Sequence, residues 1–354
     1  SLFSGQLLVL FFPSSDAFMQ SNGSQYLGTI MAGFPAMSIM IVLGATLRGS
    51  GDTRSPMIVA AVANVLNVFL DYAMIYGKFG FPEMGAFGAA LATVLSRIVG
   101  SAIILLLLFK NSKISMSRKP ARLSRWMTRE IFSIGLPTSI ENLGFSTGVL
   151  VFANILFIAG PQAYAAHRIG IQVESLSFMP AWGMGVAITA MVGIYNGANE
   201  RRKAIGSVRQ GWLIALLISS IIGTTITIFP DLFISIFTNE SSIVEAGRLP
   251  VRIIGLFQVV MGTDYAVTGA LRGMGDTSFP MKSSLVAMWF IRLPVGFLLV
   301  KYFNMGLLGA WIGMMSDMAF RTFLKFRRFY SGKWEKTADA IQSRSKNLID
   351  NESN

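Results

Sequence analysis

The segment GATLRGSGDTRSPM, residues Gly44–Met57, has a near copy in GALRGMGDTSFPM, residues Gly269–Met281. In both copies an apolar run ends in Leu-Arg-Gly, Gly-Asp-Thr follows one residue later, and Pro-Met begins another apolar run. Each copy therefore predicts a turn between two helices, because glycine ends helices while threonine and proline begin them. A chain that contains this turn twice is predicted to consist of two duplicated halves.

Individual residues of the turn have predicted roles. We expect the glycine after the arginine, Gly49 or Gly273, to take the left-handed conformation that ends a helix. We expect the threonine, Thr53 or Thr277, to cap the next helix. The aspartate of each copy can pair with an arginine or accept backbone N–H bonds. A phosphate-binding loop is excluded, because no strand precedes the glycines and no lysine follows at the required spacing.

The composition indicates a membrane protein. Of 354 residues, 53% are hydrophobic and 14% are charged, whereas soluble globular chains carry about 25% charged residues. A soluble helical protein would need polar faces on its outer helices. The apolar runs are continuous, and most approach the roughly 20 residues with which an α-helix crosses a bilayer. We predict about ten crossings: Leu2–Phe12, Tyr26–Leu47, Ile58–Ile75, Phe87–Phe109, Ile131–Ile158, Val173–Tyr195, Trp212–Phe229, Val251–Leu271, Leu285–Val300 and Met305–Phe320.

The basic residues predict an orientation. The net charge is +12, and Lys and Arg concentrate in alternate loops, on the side that contains Arg48. Because cytoplasmic loops carry this excess, the charge orients the protein in the plasma membrane and requires no nucleic-acid partner. The loop 111–129 and the C-terminus are then cytoplasmic. The chain has no cysteine, which excludes disulfides and thiolate metal sites.

A second repeat predicts how the halves are related. EMGAFGAA, residues Glu83–Ala90, matches NMGLLGAW, residues Asn304–Trp311. An even number of crossings separates the copies, so the halves are parallel repeats, an architecture of transporters. The fold class is an all-α integral membrane protein with two helical lobes. The predicted parts are an incomplete N-terminal lobe (1–110), a basic inter-lobe loop (111–129), a C-terminal lobe (130–332) and a polar tail (333–354).

The two halves differ in length. The second half reaches Arg272 after 143 residues from Arg129, whereas the first reaches Arg48 after only 48 residues. We therefore expect about 95 residues, the difference of these two lengths, to be missing before Ser1. That length corresponds to two helices and most of a third. Each complete lobe would then have six helices.

Several motifs in one order resemble the multidrug and toxic compound extrusion (MATE) family. They are the two LRGxGDT turns, NVLNVFLDYAMIYG, GAFGAALATVLSR, IGLPTSIENL, AAHRIGIQVESLSFMPAWGMGVAITAMVGIYNGA and RLPVGFLLV with MGLLGAWIG. The resemblance covers nearly the whole chain from Tyr26 to Trp334. It implies a monomeric antiporter that needs no cofactor beyond its coupling ion. Na⁺ or H⁺ runs inward, while amphipathic, often cationic, organic compounds leave from a cleft between the lobes. The family's first helix carries an aspartate implicated in proton coupling, and this sequence lacks that position.

Charged residues inside the predicted crossings are costly and mark function or ion pairs. Aligning Met84 with Met305 places Asp71 opposite Arg292. The same alignment places Asp317 next to the equivalent of Arg97. Each lobe then has an acid and a base on two successive helices, with the signs exchanged. We predict two structural ion pairs, Asp71–Arg97 and Arg292–Asp317.

Three further acids, Glu141, Glu174 and Asp264, have no evident cation in the sequence. Crowded carboxylates at mid-depth suit a proton or a hard cation. The resemblance points the same way, because acids on these helices form the family's cation site. We predict that all three couple the ion, with Glu141 and Asp264 binding Na⁺ if sodium is used. The alternative for each is a structural carboxylate bonded to a neighbouring helix.

Other residues have weaker signals. His167 and the adjacent Arg168 lie near the outer end of their predicted helix, and His167 is expected to pack at headgroup level or in a loop rather than relay protons. Aromatic and methionine side chains can line an adaptable cleft, although packing is the alternative for each. The cleft candidates are Phe145, Met179, Trp182, Met184 and Met261.

A flippase and a membrane-embedded enzyme are two other possible functions, and each would require a different pattern of residues. A lipid-linked oligosaccharide flippase of a related superfamily would have basic residues along its cleft, whereas the unpaired acids predict the opposite polarity here. A membrane-embedded enzyme would need an Asp-rich motif or a histidine cluster, and the sequence has neither. The sequence therefore favours a non-enzymatic exporter of small molecules, with the flippase as the alternative.

Overall fold

The computed structural model describes residues 17–110 and 125–335, together with Gln6 and Asp339. Within these ranges the chain is helical and contains no β-strand. The predicted crossing Leu2–Phe12 lies outside the described residues, apart from Gln6. Most of the loop 111–129 and most of the tail 333–354 also lie outside them.

The described residues form eleven α-helices and one π-helical turn in chain order. They are α1 (Ala17–Gly49), α2 (Arg54–Ile75), α3 (Gly85–Lys110), α4 (Arg125–Ile158), α5 (Pro161–Gly197), α6 (Arg201–Ile228), α7 (Pro230–Ser235), α8 (Ser241–Gly273), α9 (Ser278–Ala287), a π-helical turn (Met288–Arg292), α10 (Leu293–Lys301) and α11 (Gly306–Tyr330). Each predicted crossing from Tyr26–Leu47 onward overlaps with a helix or, for Leu285–Val300, with the span that α9, the π turn and α10 form together.

The length and composition of these helices confirm the predicted fold class. Seven helical spans are long and apolar enough to cross a membrane: 20–49, 54–75, 85–109, 128–158, 161–197, 201–228 and 278–301. The other two long helices, α8 and α11, carry charged residues that are buried among neighbouring helices. Their polarity is explained by this packing, because protein rather than lipid surrounds those positions.

The chain divides into two compact units between Ala121 and Arg122. In the first unit, α3 packs against both α1 and α2. Leu47, Val59, Ile104 and Leu108 form its core. The first unit is therefore a three-helix layer over the residues that the structure describes.

The second unit is built around α8, which packs against α5, α6 and α11. Small residues allow the closest approach. A side chain on Gly269 of α8 would collide with the backbone of Gly185 on α5. Because α8 is enclosed on several sides, the polar residues Gln258 and Asp264 are buried on it.

Both repeated turns have the same backbone hydrogen bonds. After α1, Asp52 N donates to Leu47 O at 2.9 Å and Gly51 N donates to Arg48 O at 3.1 Å. After α8, Asp276 N and Gly275 N make the equivalent bonds to Leu271 O and Arg272 O, both at 2.9 Å. This pair of bonds is the Schellman motif that ends many helices. The sequence repeat is therefore a repeat of local structure.

The left-handed residue is not the predicted one. Gly51 and Gly275 have φ of +89° and +82°, whereas Gly49 and Gly273 are the last residues of their helices. The prediction for Gly49 and Gly273 is wrong, because the helical turn continues for one residue beyond them. The left-handed conformation then falls on the second glycine.

The predicted threonine caps are also wrong. Thr53 and Thr277 precede α2 and α9, but neither side chain makes a capping bond. Both backbones are close to helical there, whereas a capping residue usually has β-region angles. The aspartate caps instead: Asp52 Oδ1 accepts the Ser55 N–H at 3.0 Å. Asp276 Oδ1 accepts the equivalent Phe279 N–H at 3.4 Å.

Candidate functional site

Arg292 and Asp317 form a buried ion pair. Arg292 Nε lies 2.8 Å from Asp317 Oδ2, and the residues are 6% and 0% exposed. Arg292 precedes Lys301, the end of α10, by nine residues, and Asp317 follows Gly306, the start of α11, by eleven. At 1.5 Å per residue the two positions differ in depth by only about 3 Å. The structure therefore contains the pair that the repeat alignment predicts.

The predicted pair Asp71–Arg97 does not form. Neither side chain has an ion-pair partner among the described residues, and Asp71 Oδ1 is buried without a hydrogen bond there. Asp71 precedes the end of α2 by four residues, whereas Arg97 follows the start of α3 by twelve. Their depths thus differ by about 12 Å. The prediction is wrong because α2 ends early, before a longer connection than the one between α10 and α11.

Glu141 on α4 is paired, contrary to the prediction. Arg272 Nη2 donates to Glu141 Oε2 at 2.7 Å. The sequence places Arg272 at the surface end of its helix. Its side chain instead reaches back toward α4, where Glu141 is buried.

Asp264 on α8 has two cationic neighbours and is not unpaired either. Lys325 Nζ donates to Asp264 Oδ1 at 2.9 Å, and Arg321 Nε lies 3.5 Å from Oδ2. The predicted crossing ends at Phe320, but α11 continues to Tyr330. Positions four apart share a helix face, so Arg321 and Lys325 both reach α8.

Among the three predicted coupling acids, Glu174 on α5 differs from Glu141 and Asp264, because it has no ion-pair partner within the described residues. It lines a cavity of about 390 Å³, here named cavity A, within the second unit. Arg168, Arg292 and Arg321 line the same cavity. Three arginines therefore line cavity A with one acid. The sequence analysis did not predict this excess of basic residues.

A second cavity, here named cavity B, has a volume of about 260 Å³. Its charged lining residues are Glu141, Asp264, Arg272, Arg321 and Lys325. The structure thus brings two of the three predicted coupling acids to one cavity and places Glu174 at the other. Arg321 lines both cavities and connects the two groups of charges.

The cleft candidates divide between these cavities. Phe145, Met179 and Met261 line cavity A, and Trp182 lines cavity B together with Phe145. Met184 lines neither of these two cavities and packs against a hydrophobic core around α8. For Met184 the packing alternative describes the structure.

His167 lies inside the second unit rather than in a loop. Trp311 Nε1 donates to His167 Nδ1 at 3.0 Å, and the ring centroids of His167 and Phe152 are 6.0 Å apart. The predicted crossing begins at Val173, whereas α5 already begins at Pro161. The earlier start places His167 among helices and on the wall of cavity A.

Two arginines approach the ring of Phe145. The guanidinium carbon of Arg292 lies 5.3 Å from its centroid, and that of Arg321 lies 5.7 Å away. These are cation–π distances. The ring and the two arginines therefore form one mixed aromatic and basic surface.

The described residues include no group of three or more His, Cys, Asp or Glu that could hold a metal ion. The two acids predicted to bind Na⁺, Glu141 and Asp264, each contact a base. Three basic residues missed by the sequence analysis, Arg272, Arg321 and Lys325, complete the site. The sequence does contain a signal for Arg321 and Lys325. They lie four residues apart, which is a helical spacing, and directly follow the apolar run that ends at Phe320.

Comparisons with known proteins identify the family. The family model described as MatE matches residues 1–73 and 137–298. A probable multidrug resistance protein NorM from Thermotoga maritima is 52% identical over 343 residues, which cover 97% of this chain and 74% of that protein. A protein of the same name from Photorhabdus laumondii is 30% identical over 312 residues, 85% of this chain and 68% of that protein.

Solved structures support the same fold. An outward-facing multidrug resistance MATE family transporter of the MOP superfamily has a TM-score of 0.86 at 22% identity and covers 96% of this chain and 75% of its own. MATE in the bent conformation has a TM-score of 0.84 at 22% identity, with the same coverage. The family match spans more than half of the chain and agrees with the motifs, so the chain belongs to the MATE family of membrane transporters.

Proposed function

We propose that the chain is an ion-coupled antiporter that exports amphipathic organic compounds across the plasma membrane by alternating access. Its relatives named as multidrug resistance proteins support this proposal. The observation that carries it is the buried contact of Asp264 with Lys325 and Arg321. A proton or another cation that binds this buried carboxylate must compete with Lys325 and Arg321, so ion binding would break the contact.

We favour a proton over Na⁺ as the coupling ion. Glu141 and Asp264 already contact Arg272, Arg321 and Lys325, whereas a hard metal cation needs several free oxygen ligands. A proton needs only one carboxylate oxygen. Binding to Asp264 would neutralise it and leave Lys325 and Arg321 facing each other without their shared anion. Such a change of local charge can bias a protein between two conformations.

The lipid-linked oligosaccharide flippase remains the second candidate because of one observation. Arg168, Arg292 and Arg321 line cavity A, and basic residues in the transport path are what a flippase for a phosphorylated lipid requires. The MatE match and the NorM relatives favour the exporter.

Transport by purified protein in proteoliposomes tests the proposal. The vesicles and the medium contain the same concentration of a fluorescent amphipathic dye, and either a proton gradient or a Na⁺ gradient is imposed. We expect the proton gradient to accelerate dye movement against its concentration gradient, and the Na⁺ gradient at constant pH to have no effect. Dye movement that responds to neither gradient would contradict coupling. Movement of a fluorescent lipid-linked saccharide without dye transport would instead support the flippase.

A further inference from the structure

We propose that cavity A binds the anionic group of an amphipathic aromatic compound, such as a carboxylate, through Arg321 and Arg168. This inference concerns binding and relies on the proposed function only for the compound's export. It names a substrate class opposite in charge to the organic cations that the family resemblance implies.

Arg321 has unused hydrogen-bonding capacity at this cavity. It is 8% exposed, and its Nε makes no hydrogen bond within the described part of the chain. Its ion-pair neighbour Asp264 lies at 3.5 Å and is held more closely by Lys325 at 2.9 Å. A guanidinium has five N–H donors, and buried donors are normally satisfied. Because Nε faces Asp264, a carboxylate that enters the cavity would accept from the two Nη groups of Arg321.

The balance of charges around cavity A favours an anion. Arg168, Arg292 and Arg321 line it against the single acid Glu174. The nearest charged neighbours of these lining residues are Asp317, which pairs with Arg292, and Asp264, which contacts both Arg321 and Lys325. With every group ionised, four cations stand against three anions. Arg168, which is exposed and has no ion-pair partner among the described residues, faces the same space.

The aromatic rings that line cavity A already contact cationic side chains. Arg292 and Arg321 lie within cation–π distance of Phe145, and Arg292 also lies 5.6 Å from the ring centroid of Phe152. A cationic ligand would compete with these guanidinium groups for the ring faces and be repelled by them. An anionic ligand would meet the guanidinium groups directly.

The rest of the cavity suits an apolar body. Met179, Met261 and Phe178 line it together with Ile171. Methionine adapts to irregular shapes, and aromatic rings stack on flat ligands. Cavity A thus combines an apolar wall with basic residues, as ligand sites generally combine apolar walls and a few polar groups.

A matched pair of fluorescent probes tests the inference. The purified protein in detergent is titrated with 1-pyrenebutyrate and, separately, with 1-pyrenebutylamine, which share the aromatic body and differ in the sign of charge. We expect the butyrate to bind about tenfold tighter or more, because hydrogen bonds to charged groups have this magnitude. Equal affinities, or tighter binding of the amine, would overturn the inference.

Three variants locate the site. Arg168→Gln should weaken butyrate binding about tenfold by removing one charged donor. Glu174→Gln should strengthen it about threefold or more by removing a nearby negative charge. Arg202→Gln, on an exposed position of α6 that lines neither cavity, should leave it unchanged. If Arg168→Gln and Glu174→Gln bind butyrate like the wild type, the anion site does not lie in cavity A.

The two proposals fail separately in these experiments. Gradient-driven dye export without preferential butyrate binding would reject the anion site and leave the antiporter. Preferential butyrate binding without gradient-driven export would retain the anion site and reject coupling.

Discussion

Asp317 is fully buried on α11 and meets Arg292 at 2.8 Å. Arg292→Ala would leave this carboxylate buried without its cation. Breaking a buried pair costs about 3–5 kcal/mol of stability. We therefore expect Arg292→Ala to lower the melting temperature of the purified protein and its folded yield, measured by fluorescence-detected size exclusion.

Two variants control for the loss of any buried charge. The neutral double variant Arg292→Met with Asp317→Leu should recover most of the lost stability, because no charge remains unpaired. Asp71→Asn, at the aligned position of the first unit, should have little effect, since Asp71 has no ion-pair partner in the described residues. Equal losses in all three variants would contradict the structural role of the pair.

At the residue scale, the sequence could predict contacts within a repeat but not contacts between distant helices. Arg292 and Asp317 lie on consecutive segments of one hairpin, so helix geometry alone brings them to similar depth. Glu141 and Arg272 are 131 residues apart. Their contact depends on how α4 packs near α8, which no local pattern contains.

At the element scale, the repeated turn provides a matched pair of glycines. Gly51 has φ +89°, Gly49 is helical, and a Cβ at either position would meet no atom within 4 Å. Gly51→Ala should cost about 1–2 kcal/mol, because the left-handed conformation is unfavourable for alanine. Gly49→Ala should be neutral or stabilise by up to about 1 kcal/mol, because alanine favours the helix.

Thermal unfolding of the two purified variants checks this prediction. The difference between them depends on backbone conformation alone, since neither added methyl group has a neighbour to clash with. A larger loss for Gly49→Ala than for Gly51→Ala would mean that the first glycine ends the helix.

Helix ends were the least predictable part of the elements. Apolar runs mark the part of a helix that can face lipid. A helix continues further when another helix covers its polar residues. For this reason α11 extends beyond Phe320 to Tyr330, and α5 begins at Pro161 rather than at Val173. The cavity-lining residues Arg321, Lys325 and His167 lie in these extensions.

At the scale of the whole molecule, the sequence predicted the helical membrane fold and the family, because both follow from long apolar runs and ordered motifs. The polarity of the buried sites was not predictable in the same way. Acids that look unpaired along the sequence acquire basic partners only when α4, α8 and α11 pack together.

The orientation of the chain can be tested with single cysteines, because these 354 residues contain none. Arg202→Cys is expected on the cytoplasmic side and Asn239→Cys on the outer side, and both positions are exposed. A membrane-impermeant maleimide should label Asn239→Cys in intact cells and Arg202→Cys only after the cells are opened. The reverse pattern would contradict the orientation predicted from the basic loops.

The role of Asp264 in coupling requires a variant that still folds. Asp264→Asn with Lys325→Met removes one charge of each sign, so the net charge of cavity B is unchanged. The matched control is Asp231→Asn with Arg248→Gln, which removes a half-exposed pair joined at 2.8 Å. There the hydrogen bond from Arg248 lowers the pKa of Asp231, and exposed ion pairs contribute little to stability.

The most direct measurement is proton-driven dye export by these two double variants and the wild type, reconstituted at equal amounts in proteoliposomes. We expect the Asp264 and Lys325 variant to bind dye but to lose acceleration by the proton gradient, while the Asp231 and Arg248 variant exports like the wild type. Gradient-driven export at the wild-type rate by the Asp264 and Lys325 variant would show that coupling does not depend on this buried contact.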